Sequence, residues 1–566
     1  MFSAEVVCWP DAELSKEYPL SSGQYKFLNS GGFIGKASVV WELLAESTEL
    51  QSDEDDQLFY TKIYLRYQSN SNTHISVELD RNANIEHHHK FFSQRHSRER
   101  IVKDFYASNY ISPYGHLQSS ETDKESTPTV LLAMFIEEYT PFLEEAFRNI
   151  LSLQYDFTKI HIFLHNAMDR YEELVQLFLS ELKKKGSNVL EVVDSTLDEA
   201  FARNHALKLA LSYDYLFVVD SFVHLTNTEI IQHLIHSKRP LVAPLLLRKD
   251  GWWGNFWGDL SPTGYYATSK DYFNISAREI LGIWNVPLVS SCYLIENSRV
   301  QKLLGSYFSS ELDSDMAFAE FQRKHSMFMF VSNIEEFGFL VDPTNYKQEV
   351  LHPELYALDT NFQLWKERYI SSEYHSQTLP SWKPPEPCPD VYTIALMSPR
   401  FCNELIETME NFGQWSSGGH HSAPDHRRDN YVENVPTVDI HMYQVGLHDM
   451  WMLTVEKFVF PLFDKLFPLF SPKAKAEFVF VVKYSLGGQT SLKPHHDAST
   501  YTLNLALNRQ GIDFNGGGSR FLRYNCQSTD TAQGHTLLHP GRLTHLHEGL
   551  PLINGTRYIL VSFMEP

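Results

Sequence analysis

Residues 493-KPHHDAST-500 and 543-LTHLHEGLP-551 decide how this chain is read. His495 and Asp497 fall on a turn between two strand-like runs, and His547 follows about fifty residues later. Two imidazoles and one carboxylate can occupy one face of an octahedral metal. Three positions then stay open for a bidentate acid and dioxygen, the arrangement of non-haem Fe(II) oxygenases. A carboxylate and imidazole set without thiolate argues against structural zinc. Arg557 lies ten residues beyond His547. If His547 ends one strand, Arg557 falls on the next and points into the barrel. Its guanidinium can hold a carboxylate through two hydrogen bonds, and the distal carboxylate of 2-oxoglutarate is the candidate. His496, His539 and His545 compete with the named histidines for the ligand role.

The frame around these residues is strand-rich. The runs are 478–486, 500–508, 519–524, 535–541 and 557–565, separated by turns such as Leu486-Gly487-Gly488-Gln489 and Asn515-Gly516-Gly517-Gly518. Two helical patterns, 400–413 and 448–467, precede them. Strands at near-regular spacing with helices outside predict a β-sandwich or jelly roll. Upstream, the apolar runs 129–136 and 159–164 flank an amphipathic stretch, and a helical segment feeds a further strand at Tyr215 to Val219. That β-α-β texture predicts an α/β layer with a parallel sheet. The proline-rich 376-SQTLPSWKPPEPCPD-390 and the polar 116-HLQSSETDKESTP-128 read as linkers. The expected domains are therefore 1–125, 126–375 and 388–566.

Composition agrees with a multidomain globular chain. There are 566 residues, 43% hydrophobic and 21% charged, against roughly 150 residues per domain. The net charge of -22 excludes an electrostatic nucleic-acid binder and suits a basic substrate. No uninterrupted apolar run approaches the ~20 residues of a membrane span, so no transmembrane segment is expected. The five cysteines are too few for a disulfide scaffold and show no paired C-x-x-C spacing. Asn274-Ile275-Ser276 and Asn554-Gly555-Thr556 are glycosylation sequons, compatible with secretion.

The last region resembles the procollagen-lysine 2-oxoglutarate 5-dioxygenase (collagen lysyl hydroxylase) family. The resemblance rests on 434-NVPTVDIHM-442, 491-SLKPHHDASTYTLNLALN-508, 516-GGGSRFLRY-524, 537-LLHPGRLTHLHEGLP-551 and 555-GTRYILVSF-563. It implies a double-stranded β-helix (jelly roll) with iron ligands at His495, Asp497 and His547. It implies 2-oxoglutarate contacts at Arg557, Tyr484, Asn504 and Arg427. The implied activity converts lysine in collagen-like X-Lys-Gly sequences to 5-hydroxylysine, using Fe(II), O2 and 2-oxoglutarate, with release of succinate and CO2. L-ascorbate as reductant, procollagen chains as substrate, a homodimer through the C-terminal domain and the lumen of the endoplasmic reticulum follow from the same resemblance.

The resemblance extends upstream. 255-NFWGDLSPTGYYA-267, 284-WNVP-287, 332-SNIEEFG-338 and 351-LHPEL-355 look like the family's accessory domain, which is glycosyltransferase-like. A metal-dependent glycosyltransferase needs an Asp-x-Asp at a strand end. Here 220-DSFVHLTN-227 offers Asp220 without a second carboxylate, so Asp220 is expected to be structural. 27-FLNSGGFIG-35 and 53-DEDDQLFYT-61 look like the second half of the family's N-terminal glycosyltransferase domain. Its first half and a signal peptide are not read in this sequence, which suggests a fragment or short isoform of a lumenal protein. Asp53 to Asp56 and His87-His88-His89 read as solvated loops. The alternatives are a hydroxylysine glycosyltransferase and a non-catalytic collagen-binding partner. The truncated first domain and the missing Asp-x-Asp oppose the first, and the intact His495, Asp497, His547 and Arg557 oppose the second.

Overall fold

The computed structural model describes residues 2–5, 27–33, 79–80, 127–249, 253–261, 266–417, 437–467 and 475–565. Arg427, Asp53 to Asp56 and His87 to His89 lie outside them. The chain divides into two compact units, Met1–Lys124 and Glu125–Pro566. In the first, Phe2–Glu5 pairs antiparallel with Phe27–Phe33 and parallel with Leu79–Asp80.

The second unit begins with an alternation of strands and helices. In order these are β1 (Val130–Ile136), α1 (Leu143–Leu151), β2 (Ile160–Asn166), α2 (Glu172–Lys184), β3 (Asn188–Asp194), α3 (Glu199–Ala210) and β4 (Tyr215–Asp220). Then come β5 (Leu241–Pro244), β6 (Ile283–Val286), β7 (Cys292–Glu296), α4 (Ser314–Lys324) and β8 (Met329–Ser332). They form one eight-stranded sheet in the order β6-β8-β5-β7-β4-β1-β2-β3. One half of it, β4-β1-β2-β3, is parallel, and β7 runs antiparallel between β4 and β5. A parallel strand is covered on both faces, so it must be apolar throughout. All seven residues of β1, VLLAMFI, are buried. Alternate residues of β1 serve two cores: Val130, Leu132, Met134 and Ile136 pack with α1 and α2, while Leu131, Ala133 and Phe135 pack with α3.

The remainder is antiparallel. Its elements are α5 (Phe362–Tyr369), β9 (Tyr392–Ala395), α6 (Pro399–Phe412), β10 (Asp439–His441), α7 (His448–Thr454), α8 (Phe460–Leu466) and β11 (Lys475–Ser485). Then follow β12 (Leu492–His495), β13 (Tyr501–Ala506), β14 (Phe514–Gly516), β15 (Ser519–Phe521), β16 (Cys526–Ser528), β17 (His535–Pro540), β18 (His547–Gly549) and β19 (Leu552–Glu565). The larger sheet is ordered β9-β17-β13-β19-β11-β10, with β14 also pairing with β19. The smaller sheet is β12-β18-β15-β16. One face of the larger sheet, with Val479, Val481, Leu503, Leu505 and Leu560, packs on α5, α6 and α7 through Trp365, Phe401 and Trp451. The other face carries Phe480, Val482, Tyr484, Ile559 and Val561.

Three expectations change. The helical pattern 448–467 is not one α-helix: Val455–Val459 is a π-helical turn between α7 and α8. Pro461 follows it; it has no N–H and cannot continue the α-helical ladder, and the wider turn accommodates that break. The run 519–524 ends as a strand at Phe521 and turns into a 3-10 helix, Leu522–Tyr524, closed by Asn525 in the left-handed region (φ 48°). The expected linker before 390 is fastened: Cys388 forms a disulfide with Cys526, and Pro385 accepts a backbone hydrogen bond from Thr393.

Candidate metal and cosubstrate site

His495 ends β12 and lies directly opposite His547, the first residue of β18. The pairing sets the two imidazoles side by side, with ring centroids 4.4 Å apart. The turn into β13 then returns Asp497 toward them. Its Oδ1 lies 3.3 Å from His495 Nε2, and its Oδ2 lies 3.7 Å from His547 Nε2. One ligand atom from each of the three fits within 4.8 Å. Each histidine directs Nδ1 to a backbone carbonyl, His495 to Lys493 at 2.7 Å and His547 to His545 at 2.9 Å. A carbonyl can only accept, so Nδ1 carries a proton in each ring and Nε2 is the nitrogen turned toward Asp497.

The surroundings hold the carboxylate in place. Thr502 Oγ1 donates to Asp497 Oδ2 at 2.5 Å, and the Asp497 amide donates to the Gly541 carbonyl at 3.2 Å. A Cβ on Gly541 would come within 2.4 Å of the Ser499 carbonyl oxygen, so this close approach requires glycine. Burial by itself would raise the Asp497 pKa. The neighbouring His547 and His495 outweigh burial and hold it below the ordinary carboxylate range. Burial lowers the pKa of His547; at His495 the hydrogen bond to Asp497 overcomes burial and raises it.

The competing histidines are placed otherwise. His496 is exposed. His545 spends both nitrogens on Thr544 Oγ1 (2.8 Å) and the Pro389 carbonyl (2.9 Å). His539 is fully buried behind the site, bonded to Asn504 Nδ2 at 3.2 Å and the Pro540 carbonyl at 2.9 Å, and burial pushes its pKa down to about 3. Asn504 thus touches the site through His539.

Arg557 is on β19, in the larger sheet, whereas His547 is in the smaller one. β19 follows β18 in the chain, as expected, but His547 begins its strand rather than ends it, and the two strands belong to different sheets. Arg557 pairs in register with Tyr484 of β11. Its guanidinium lies 5.7 Å from the Tyr484 ring and 5.9 Å from the Phe514 ring, and burial lowers its pKa. It makes no ion pair with an acid among the described residues. A Cβ on Gly517 (φ 71°) would stand 3.1 Å from Arg557 Cδ. The Gly516-Gly517-Gly518 turn, read from sequence only as a turn, lets the backbone pass close against the guanidinium. The contributions of Thr502 and Gly541 carry no local sequence signal.

A donor set of two imidazoles and a carboxylate, with no thiol joining it among the described residues, fits Fe(II). A guanidinium that pairs with no acid among the described residues fits a dicarboxylate cosubstrate. Among the described residues the central sheet holds no comparable site. Asp220 ends β4 in a buried ion pair, 2.8 Å from Arg203 Nη2, with Glu199 2.7 Å from Arg203 Nε. A guanidinium supplies positive charge at the strand end where a metal-dependent glycosyltransferase places a cation, so these residues do not fit a metal.

Four protein-family models match parts of the chain. Residues 476–566 match the 2OG-Fe(II) oxygenase superfamily and 344–471 an OGFOD2-like domain. Residues 200–359 match the glycosyltransferase family 25 N-terminal domain, and 1–103 the PLOD GT domain. The class is thus that of Fe(II)- and 2-oxoglutarate-dependent oxygenases carrying glycosyltransferase-like domains. The chain is 38% identical to procollagen-lysine,2-oxoglutarate 5-dioxygenase 1 of Gallus gallus over 611 residues, 100% of this chain and 83% of that protein. It is 38% identical to multifunctional procollagen lysine hydroxylase and glycosyltransferase LH3 of Homo sapiens, covering 100% of this chain and 82% of that one. Procollagen-lysine,2-oxoglutarate 5-dioxygenase 2 of Mus musculus gives 38% with the same coverages, 100% and 82%. The chain belongs to the procollagen-lysine 2-oxoglutarate 5-dioxygenase family.

Proposed function

We propose that this chain hydroxylates lysine in collagen-like X-Lys-Gly sequences to 5-hydroxylysine, with succinate and CO2 as coproducts. The observation that carries the reading is the His495, Asp497 and His547 cluster, together with an Arg557 that pairs with no acid among the described residues, in a chain related along its whole length to procollagen lysyl hydroxylases. Fe(II) with 2-oxoglutarate and O2 supplies the two-electron oxidation of a carbon–hydrogen bond. The chain's own residues do the rest. Backbone carbonyls of Lys493 and His545 orient the two imidazoles, and Thr502 orients the carboxylate. Arg557 and the Tyr484 hydroxyl receive the C5 carboxylate of 2-oxoglutarate, and Asn504 acts through His539. Phe521, 5.7 Å from the His547 ring, helps exclude water.

The paired sheets support a double-stranded β-helix for 388–566, after a glycosyltransferase-like accessory domain at 126–375 and a partial one at 1–125. L-ascorbate as reductant, procollagen chains as substrate and a homodimer through the C-terminal domain belong to the same reading. The disulfide Cys388–Cys526 supports the lumen of the endoplasmic reticulum, since such bonds persist in oxidising compartments. The PLOD GT match at 1–103 favours one further question, hydroxylysine glycosylation; the Arg203–Asp220 pair speaks against the central sheet as its seat.

The test is a collagen-like X-Lys-Gly peptide incubated with Fe(II), 2-oxoglutarate and ascorbate. A gain of about 16 Da on lysine is expected from the native chain, from the added oxygen atom. It should be lost in His495→Ala, Asp497→Ala and His547→Ala with the circular dichroism preserved. Native rates in any folded variant of the three remove that residue from the metal site.

A further inference from the structure

Among the described residues of the antiparallel region, three acidic side chains are buried: Glu404, Asp439 and Asp497. Glu404 is satisfied by Arg400 Nε at 2.7 Å and Tyr369 Oη at 2.5 Å. Asp497 belongs to the metal cluster. Asp439 is 7% exposed and has no lysine or arginine partner among the described residues. The Thr437 hydroxyl donates to its Oδ2, and His441 Nε2 stands 4.0 Å from its Oδ1. A buried carboxylate without a cation is costly to retain unless something completes it.

The register says where this carboxylate faces. Asp439 on β10 lies opposite Val482 of β11, and His441 opposite Phe480. Between them Ile440 packs in the core against the helices, with Val479 and Val481. Asp439 and His441 therefore point to the opposite face, that of Phe480, Val482 and Tyr484. The His441 ring, 5.5 Å from the Phe480 ring, lies on that face. It is the inner face of the sandwich, the one that carries Arg557 in register with Tyr484. Two residues along a strand and one strand across separate Asp439 from Tyr484, about 8 Å between backbones.

The backbone there is pinned. Ser416 Oγ accepts from the Asp439 amide at 2.9 Å and donates to the Thr437 carbonyl at 2.7 Å. The carboxylate is held before any ligand arrives, as a specificity group should be.

Lysine brings the missing charge. Its ammonium lies two bonds from the carbon that becomes hydroxylated, so a lysine entering the site brings a cation with three N–H donors with it. We propose that Asp439 receives the ε-ammonium of the substrate lysine and so selects lysine over uncharged side chains of similar length. This rests on the lysyl hydroxylase reading above and adds to it the group that recognises the substrate.

The experiment compares two collagen-like peptides, one with lysine and one with norleucine at the reactive position, on the native chain, Asp439→Asn and Asp439→Glu. Asparagine keeps the shape and can still accept from Thr437, so the fold should persist. Asp439→Asn is expected to lower kcat/KM for the lysyl peptide roughly 10- to 100-fold, the worth of a hydrogen bond to a charged group. Binding of the norleucine peptide, read as competitive inhibition, should change little. Turnover of 2-oxoglutarate without peptide should also stay near native, which separates substrate recognition from damage to the metal site. Asp439→Glu, which keeps the charge on a longer arm, should fall between. Equal losses for both peptides, or an unaltered lysyl kcat/KM in folded Asp439→Asn, overturn the assignment. A native chain that hydroxylates no lysyl peptide overturns instead the reading beneath it.

Discussion

Arg557 is the residue on which the proposed cosubstrate binding turns. It lies against Tyr484, Phe514 and the Gly517 backbone and pairs with no acid among the described residues. Arg557→Ala would leave the C5 carboxylate of 2-oxoglutarate desolvated and unpaired, a loss on the order of 3–5 kcal/mol. At ~1.4 kcal/mol per decade that is about 10²–10³-fold in affinity. Arg557→Lys keeps the charge but not the two-pronged geometry, so its 2-oxoglutarate KM should fall between native and Arg557→Ala. Affinity for Fe(II), set by the other sheet, should hardly move. Were Arg557 only a strand residue, Arg557→Ala would lower the melting temperature and leave that KM near native; titrating 2-oxoglutarate distinguishes the two.

At the scale of elements, the smaller sheet depends on its outer fastening. β16 is its edge strand, and Cys526 at its start is tied across 138 residues to Cys388, ahead of β9. β15 pairs with β16 on one side and with the His547 strand on the other. A bond closing so long a loop contributes roughly 4–5 kcal/mol by restricting the unfolded chain. Cys388→Ser with Cys526→Ser should therefore lower the urea midpoint sharply. Below that midpoint hydroxylation should persist, because neither sulfur touches the metal cluster. Matching midpoints for native and doubly substituted chains would show that the bond adds no stability.

At the scale of the whole molecule, acid should loosen the fold through His224, in the second unit between the parallel sheet and the helices that follow. The side chain is fully buried, stacked on Phe339 at 5.3 Å, and neither ring nitrogen has a hydrogen-bond partner. Burial pushes its pKa from 6.5 down to about 3, with Arg368 and Lys249 adding to the shift. Between those values the unfolded chain binds a proton that the native chain refuses. Stability contributed by the neutral histidine is complete above about pH 6.5 and declines as pH falls toward 3, by up to about 1.4 kcal/mol per pH unit. His224→Phe should flatten that slope while preserving the stacking. Parallel slopes for both proteins across this window would exclude His224 as the source.

By itself the sequence determined the chemistry-bearing types and their order: His495-x-Asp497, then His547, then Arg557, each beside a strand-like run. It also determined the buried parallel strands, because VLLAMFI has no polar face to leave in water. Local patterns carry such information because period and turn chemistry act within a few residues. Tertiary structure alone decided which histidines converge. His539, His545 and His547 are similar in sequence, and only the pairing of β12 with β18 sets His547 against His495. It alone placed Arg557 and His547 in different sheets, joined Cys388 to Cys526, and brought Thr502 to Asp497. It alone gave Asp220 to Arg203 and left Asp439 without a lysine or arginine partner among the described residues. Each of these depends on contacts between segments far apart in the chain, whose energies no local stretch of sequence contains.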